Sequence, residues 1–103
     1  MILEVAILDV IPTETQAFEA AFKVAERIIA SMRGYINHDL KRCIEQPNRY
    51  ILLVNWTDLE AHIGDAANGG TVGFRQSVEY QEWKRLLHHF YSPFPTVEHY
   101  EAV

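Results

Sequence analysis

Apolar residues along this chain change their spacing four times, and each change marks an element. Ile2 to Ile11 (ILEVAILDVI) is almost continuously apolar and rich in β-branched residues, and Pro12 stops it. Both alternating sets are hydrophobic, Leu3, Val5, Ile7, Ile11 and Ile2, Ala6, Leu8, Val10, so this strand needs cover on both faces. From Thr13 to Met32 the spacing becomes helical: Phe18, Ala21, Phe22, Ala25, Ile28, Ile29 and Met32 form one stripe. Thr13 with Gln16 resembles a capping box, and Gly34 ends the helix. Tyr35–Ile44 alternates as a strand, with Ile36, His38, Leu40, Arg42 and Ile44 on one face. Glu45-Gln46-Pro47-Asn48 is a turn, and Arg49–Trp56 is the third strand, again apolar on both faces between Tyr50 and Val54.

A short helix then runs from Leu59 to about Ile63, capped by Thr57 or Asp58. The glycine-containing stretch Ile63 to Gly70 interrupts it. Ser77 caps a further helix to about Tyr91, with Tyr80, Trp83, Leu87 and Phe90 as its stripe and His88 and His89 expected in solvent. Thr96–Glu101 is a short last strand, with Val97 and His99 on one face and Tyr100 on the other. The order β-α-β-β-α-β, with a broken second helix, is a ferredoxin-like α+β arrangement. Two helices cover one sheet face only. The other face stays apolar, so a homodimer through that face is expected.

At 103 residues the chain is read as a single domain, 1–103. Its net charge of −5, with scattered Lys and Arg, excludes a phosphate-binding surface and hence a nucleic-acid partner. No run approaches the ~18 apolar residues of a membrane span, and the N-terminus has no basic region before its apolar run. One cysteine, Cys43, rules out an intrachain disulfide and fits a reducing, cytoplasmic setting. No glycine-rich phosphate loop and no zinc pattern is present, so neither a metal nor another cofactor is expected.

The candidate chemistry rests on histidines and aromatics. His38 and His62 are the candidate acid–base groups, since imidazole exchanges protons near neutral pH; each reads equally as a satisfied interior histidine. Trp56, Phe74, Tyr80 and Trp83 fall around the broken helix and could wall a pocket for a flat aromatic ligand, or simply fill the core. Arg75 lies beside them, placed to hold a phenolate or carboxylate or to pair with Glu79 at the surface.

The stretch Pro47-Asn48-Arg49-Tyr50 through Val54-Asn55-Trp56 to Leu59-Glu60-Ala61-His62 resembles the antibiotic biosynthesis monooxygenase family. Gly34-Tyr35 ahead of His38-Asp39-Leu40 resembles the family's second strand, and Leu86 to Tyr91 with Pro93 to Tyr100 is similar to an uncharacterised bacterial branch. The resemblance covers nearly the whole chain. It implies a dimeric α+β barrel, two sheets face to face, with a ligand site between sheet and helices. It further implies a cofactor-independent monooxygenase acting on a small aromatic, phenolic or quinol-like substrate that itself supplies electrons to oxygen. The alternatives are a non-catalytic small-molecule-binding dimer of the same fold and a structural interaction module. Trp56 matches a tryptophan of the polyketide oxygenases, while Leu52 and Val54 stand where their asparagine would be sought. Haem-degrading relatives use a helix histidine where this chain has Trp83 and Lys84, so haem chemistry is disfavoured. Ile63 to Gly70 reads as an insertion beside the presumed pocket.

Overall fold

The computed structural model describes residues 1–64 and 73–103. β1 (Ile2–Asp9), α1 (Thr15–Ala30), β2 (Tyr35–Arg42), β3 (Arg49–Trp56), α2 (Leu59–Ile63), α3 (Val78–Leu87) and β4 (Val97–Tyr100) follow one another, so the expected order and the α+β class hold. The four strands form one antiparallel sheet in the order β2-β3-β1-β4. No described helix is long and apolar enough to cross a membrane. The Ile63–Gly70 stretch lies, beyond Gly64, outside the described residues.

The period of two sorts the sheet's faces. Ala6 and Leu8 of β1 and Tyr50, Leu52, Val54 and Trp56 of β3 are buried under the helices. Phe18, Phe22, Ala25 and Ile29 of α1 and Trp83 and Leu87 of α3 meet them. The opposite face carries Leu3, Val5, Ile7, Ile51 and Leu53 on the two central strands, with Ile7 38% exposed. Asn37, Asp39 and Lys41 flank it on β2, and Glu98 and Tyr100 on β4.

Several local expectations are corrected. The Thr13/Gln16 capping box does not form, because Pro12–Glu14 make a 3-10 turn and α1 starts at Thr15 without a side-chain cap. β1 stops at Asp9: Val10 only bridges to Tyr91, and Ile11 is exposed. β2 stops at Arg42, leaving Ile44 in solvent. An irregularity between Tyr35 and Asn37 shifts the pairing, so Tyr35 lies opposite Trp56 while His38 lies opposite Val54. Tyr35 therefore shares the helix-side face with His38, and Ile36 is exposed. Past α3, the chain tightens into a 3-10 turn, His88–Phe90, which turns His88 among Tyr80, Tyr91 and Phe94; only His89 stays exposed.

Two glycines allow close approaches near α2. Gly34 has φ 85°, and a Cβ there would stand 2.4 Å from that of Ala61. Gly73 lets the segment entering Phe74 run against the end of α2, where a Cβ would be 2.3 Å from the Gly64 nitrogen and 2.8 Å from the His62 carbonyl.

Candidate functional site

Glu4 is the polar member of β1's buried face. It lies opposite His99 of β4 and Val54 of β3, with Trp56 two residues further along β3 on the same face, and is 5% exposed. Asp58 caps α2 through the Ala61 amide and so aims His62 down onto these strands. The Trp56 indole nitrogen donates to Glu4 Oε1 at 2.9 Å, and His62 Nε2 is 3.4 Å from the same oxygen. His62 Nδ1 is 2.7 Å from His99 Nε2. His62 stacks on Trp56, with ring centroids 5.3 Å apart and planes 13° off parallel, and Phe74 lies 6.4 Å away.

Glu4, His62 and Phe74 border a narrow cavity of about 40 Å³ between the sheet and α3, lined also by Arg75, Tyr80, Trp83 and Phe94. That volume holds little more than a water or two. Trp83 meets Phe74 edge-on at 5.5 Å, and the Tyr80 hydroxyl is 3.4 Å from His88 Nε2. Arg75 is half-buried on the 3-10 turn Phe74–Gln76, and among the described residues it forms no ion pair with Glu79. Thus His62, Phe74, Arg75, Tyr80 and Trp83 do come together around one space, whereas Trp56 does not line it: it is fully buried and packs against His62 and Phe74.

Burial sets the protonation of this cluster. It raises the Glu4 carboxyl above its ordinary range, against the Trp56 bond and the Arg75 charge. It lowers His62 to about 3, helped by Arg75 and His99, so His62 is neutral at physiological pH. The unfolded chain takes up that proton near 6.5, so the native state loses stability as pH falls below 6.5 toward 3. Glu4 works in the opposite sense and partly offsets this loss as it protonates. Unfolding free energies from urea titrations are expected to fall by up to about 1.4 kcal/mol per pH unit across that range. His62→Gln should flatten the decline; an equally steep decline in that variant would contradict the assignment.

His38 is elsewhere. Its Nδ1 is 2.6 Å from the Tyr35 hydroxyl and its Nε2 is 3.2 Å from Glu26 of α1. It borders a wider hollow of about 430 Å³ between α1 and β2, floored by Phe22, Leu40 and Tyr50 and rimmed by Glu19, Glu26 and Arg42. Its strand face does point toward the helices, but it reaches the other cluster only indirectly, through Tyr35, 6.4 Å from Trp56 by ring centroid, and through Phe22, which packs edge-on against both His38 and Trp83. Cys43 is half-buried past the end of β2, its sulfur 3.5 Å from Glu45. Among the described residues, no three acidic, histidine or cysteine side chains are arranged to hold a metal ion.

Sequence reasoning missed Glu4 and did not place His99. The available signal was a carboxylate in phase with Ala6 and Leu8 on a buried strand face, and a histidine in phase with Val97 on the neighbouring strand.

Comparison with known proteins supports the same architecture. The chain is 50% identical to the uncharacterised protein YczJ of Bacillus subtilis (strain 168) over the full length of both. A putative antibiotic biosynthesis monooxygenase from Bordetella bronchiseptica superposes with a TM-score of 0.86 at 34% identity, covering 99% of this chain and 96% of that one. SnoaB, a cofactor-independent oxygenase from Streptomyces nogalater, shares the fold with a TM-score of 0.73 at 20% identity, covering 99% and 92%. The family model described as antibiotic biosynthesis monooxygenase matches residues 1–68, which reach from β1 through the Trp56–His62 pair. The chain belongs to the antibiotic biosynthesis monooxygenase family.

Proposed function

We propose that this protein is a cofactor-independent monooxygenase of small phenolic or quinol-like substrates, working as a homodimer in the cytoplasm. The observation that carries the reading is the convergence of a proton-accepting cluster and a cation, Arg75, on an aromatic-walled cavity beneath α3. Burial strengthens electrostatic interactions there. The acid–base cluster containing His62 removes the phenolic proton, and Arg75 holds the phenolate. The phenolate passes one electron to O2, the resulting radical and superoxide combine at a ring carbon, and the proton held by the cluster returns to the peroxide oxygen to give a hydroperoxide. Loss of the proton on that carbon, with O–O cleavage, leaves a quinone and one water. One oxygen atom enters product, the other becomes water, and all electrons come from the substrate. A ring enters by displacing Phe94, which is 60% exposed at the rim.

His38, bonded to Tyr35 and Glu26, orients the wall beside Trp56 and does not meet the substrate. The uncovered face around Ile7 and Leu53 supports the dimer.

The test is turnover of a dihydroxyaromatic panel, in air and without oxygen, by chelator-treated protein. One O2 consumed per quinone formed is expected, with kcat lowered roughly a hundredfold in His62→Ala. No oxygen-dependent product, or unchanged turnover in a His38→Ala/His62→Ala double variant, would overturn the reading. The small cavity favours a second reading, a binding dimer without chemistry, in which an aromatic ligand is bound and recovered unchanged in air.

A further inference from the structure

We infer that Glu4 is the group that takes the substrate's proton, and that His62 and His99 form the path by which this proton exchanges with water. The part about substrate rests on the oxygenase reading of the same cavity; the path itself does not.

His62 has no ring nitrogen to spare. Nδ1 is hydrogen-bonded to His99, and Nε2 stands 3.4 Å from Glu4 Oε1, so both ring nitrogens already have a protein partner beside them. Glu4 borders the cavity, and among the described residues its side-chain contacts with Trp56 and His62 both fall on Oε1. An ionised carboxylate has about four acceptor positions, so it keeps capacity for a phenolic hydroxyl. The 2.7 Å His62–His99 separation is a hydrogen bond. Two nitrogens on one tetrahedral zinc would stand about 3.3 Å apart.

A base buried this deeply needs a route to solvent. Glu4 and His62 are buried, whereas His99 is half-buried on the edge strand β4. Each link of the chain holds one proton, and this couples the tautomers. With Glu4 ionised, His62 carries its proton on Nε2, and its bare Nδ1 accepts from Nε2–H of His99. With Glu4 protonated, the carboxyl donates to His62 Nε2, Nδ1–H of His62 donates to His99 Nε2, and His99 carries its own proton on Nδ1. One proton arriving from water at His99 Nδ1 therefore converts the first state into the second, and both imidazoles end neutral.

The other groups around this chain bias the two states without joining them. Arg75 acts on Glu4, His62 and His99, favouring an ionised Glu4 and neutral imidazoles. Tyr80 and Tyr91 lie close enough for the Glu4 charge to raise their phenols. His88, beyond Tyr80, is held toward neutrality by burial and by Lys84. Trp56 donates to Glu4 in either state.

The experiment is a pH titration of the full chain labelled with 15N-histidine, read by long-range proton–nitrogen correlation without substrate. As pH is lowered, His62 and His99 should change from Nε2–H to Nδ1–H together, through one midpoint, and remain neutral. The change should vanish in Glu4→Gln, whose amide can still accept from Trp56. His99 becoming an imidazolium while His62 keeps Nε2–H would overturn the path, as would a tautomer change that survives in Glu4→Gln. For the base, the acid limb of the kcat/KM profile should coincide with that midpoint. Glu4→Gln should lose the limb and about a hundredfold in kcat. A limb retained in Glu4→Gln overturns Glu4 as the base. Absence of any wild-type turnover overturns that role together with the oxygenase reading, whereas the tautomer switch is decided independently.

Discussion

Trp56→Ala is expected to cost about 3–5 kcal/mol from packing alone. Trp56 is fully buried at the end of β3, with Tyr35, His62 and Phe74 ring centroids 6.4, 5.3 and 6.0 Å away. Truncation opens a cavity among these rings that the sheet cannot collapse to fill. It also strips Glu4 of the indole donor, and an under-partnered buried acceptor adds about 1–3 kcal/mol. Against a domain stability of about 5–15 kcal/mol, the sum of about 4–8 kcal/mol removes a large share of the folded margin, and all of it at the low end. Urea unfolding at neutral pH checks this. Trp56→Phe should recover much of the packing but not the Glu4 bond, so its midpoint should lie between wild type and Trp56→Ala. A Trp56→Ala midpoint equal to wild type would show that the ring does not brace the site.

Leu53→Asp should convert the proposed dimer to a monomer at micromolar concentration, a loss of roughly 10²-fold or more in association. Leu53 sits at the middle of the uncovered face, paired with Val5 of β1 and Asp39 of β2. A carboxylate there would lie beside Asp39 and, in a face-to-face dimer, would be buried without a partner, at a cost of several kcal/mol. Light scattering should show half the wild-type mass. Val24→Asp, on the exposed side of α1, is the control and should leave the mass unchanged. A monomeric wild-type protein, or a dimeric Leu53→Asp variant, would refute assembly through this face.

The elements that periodicity predicts are those whose side chains have one clear environment. β3 matches its expected bounds because every second residue from Tyr50 to Trp56 is buried, and Ser77 caps α3 through the Tyr80 amide as expected. The failures sit where backbone detail overrides pattern. The irregularity before Asn37 puts Tyr35 in phase with His38, and alternation alone placed them on opposite faces. The 3-10 turn after Leu87 rotates His88 inward relative to an ideal helix. The aromatic wall of the site was legible because Phe74, Tyr80 and Trp83 follow a predicted helix break, with Trp56 before it packing behind Phe74. Its charged centre was not, since Glu4 and His99 meet only through the β1–β4 pairing, almost the full chain apart in sequence.

The buried Glu4 also bears on how this protein should respond to selection. A carboxyl pressed between Val54 and His99 under an indole costs stability that a well-packed methionine or leucine would not. Variants chosen only for heat resistance should therefore drift toward an apolar residue at position 4, gaining robustness while emptying the cavity of its acid. Thermostabilisation campaigns on this scaffold would select against the carboxyl on which the proposed chemistry depends.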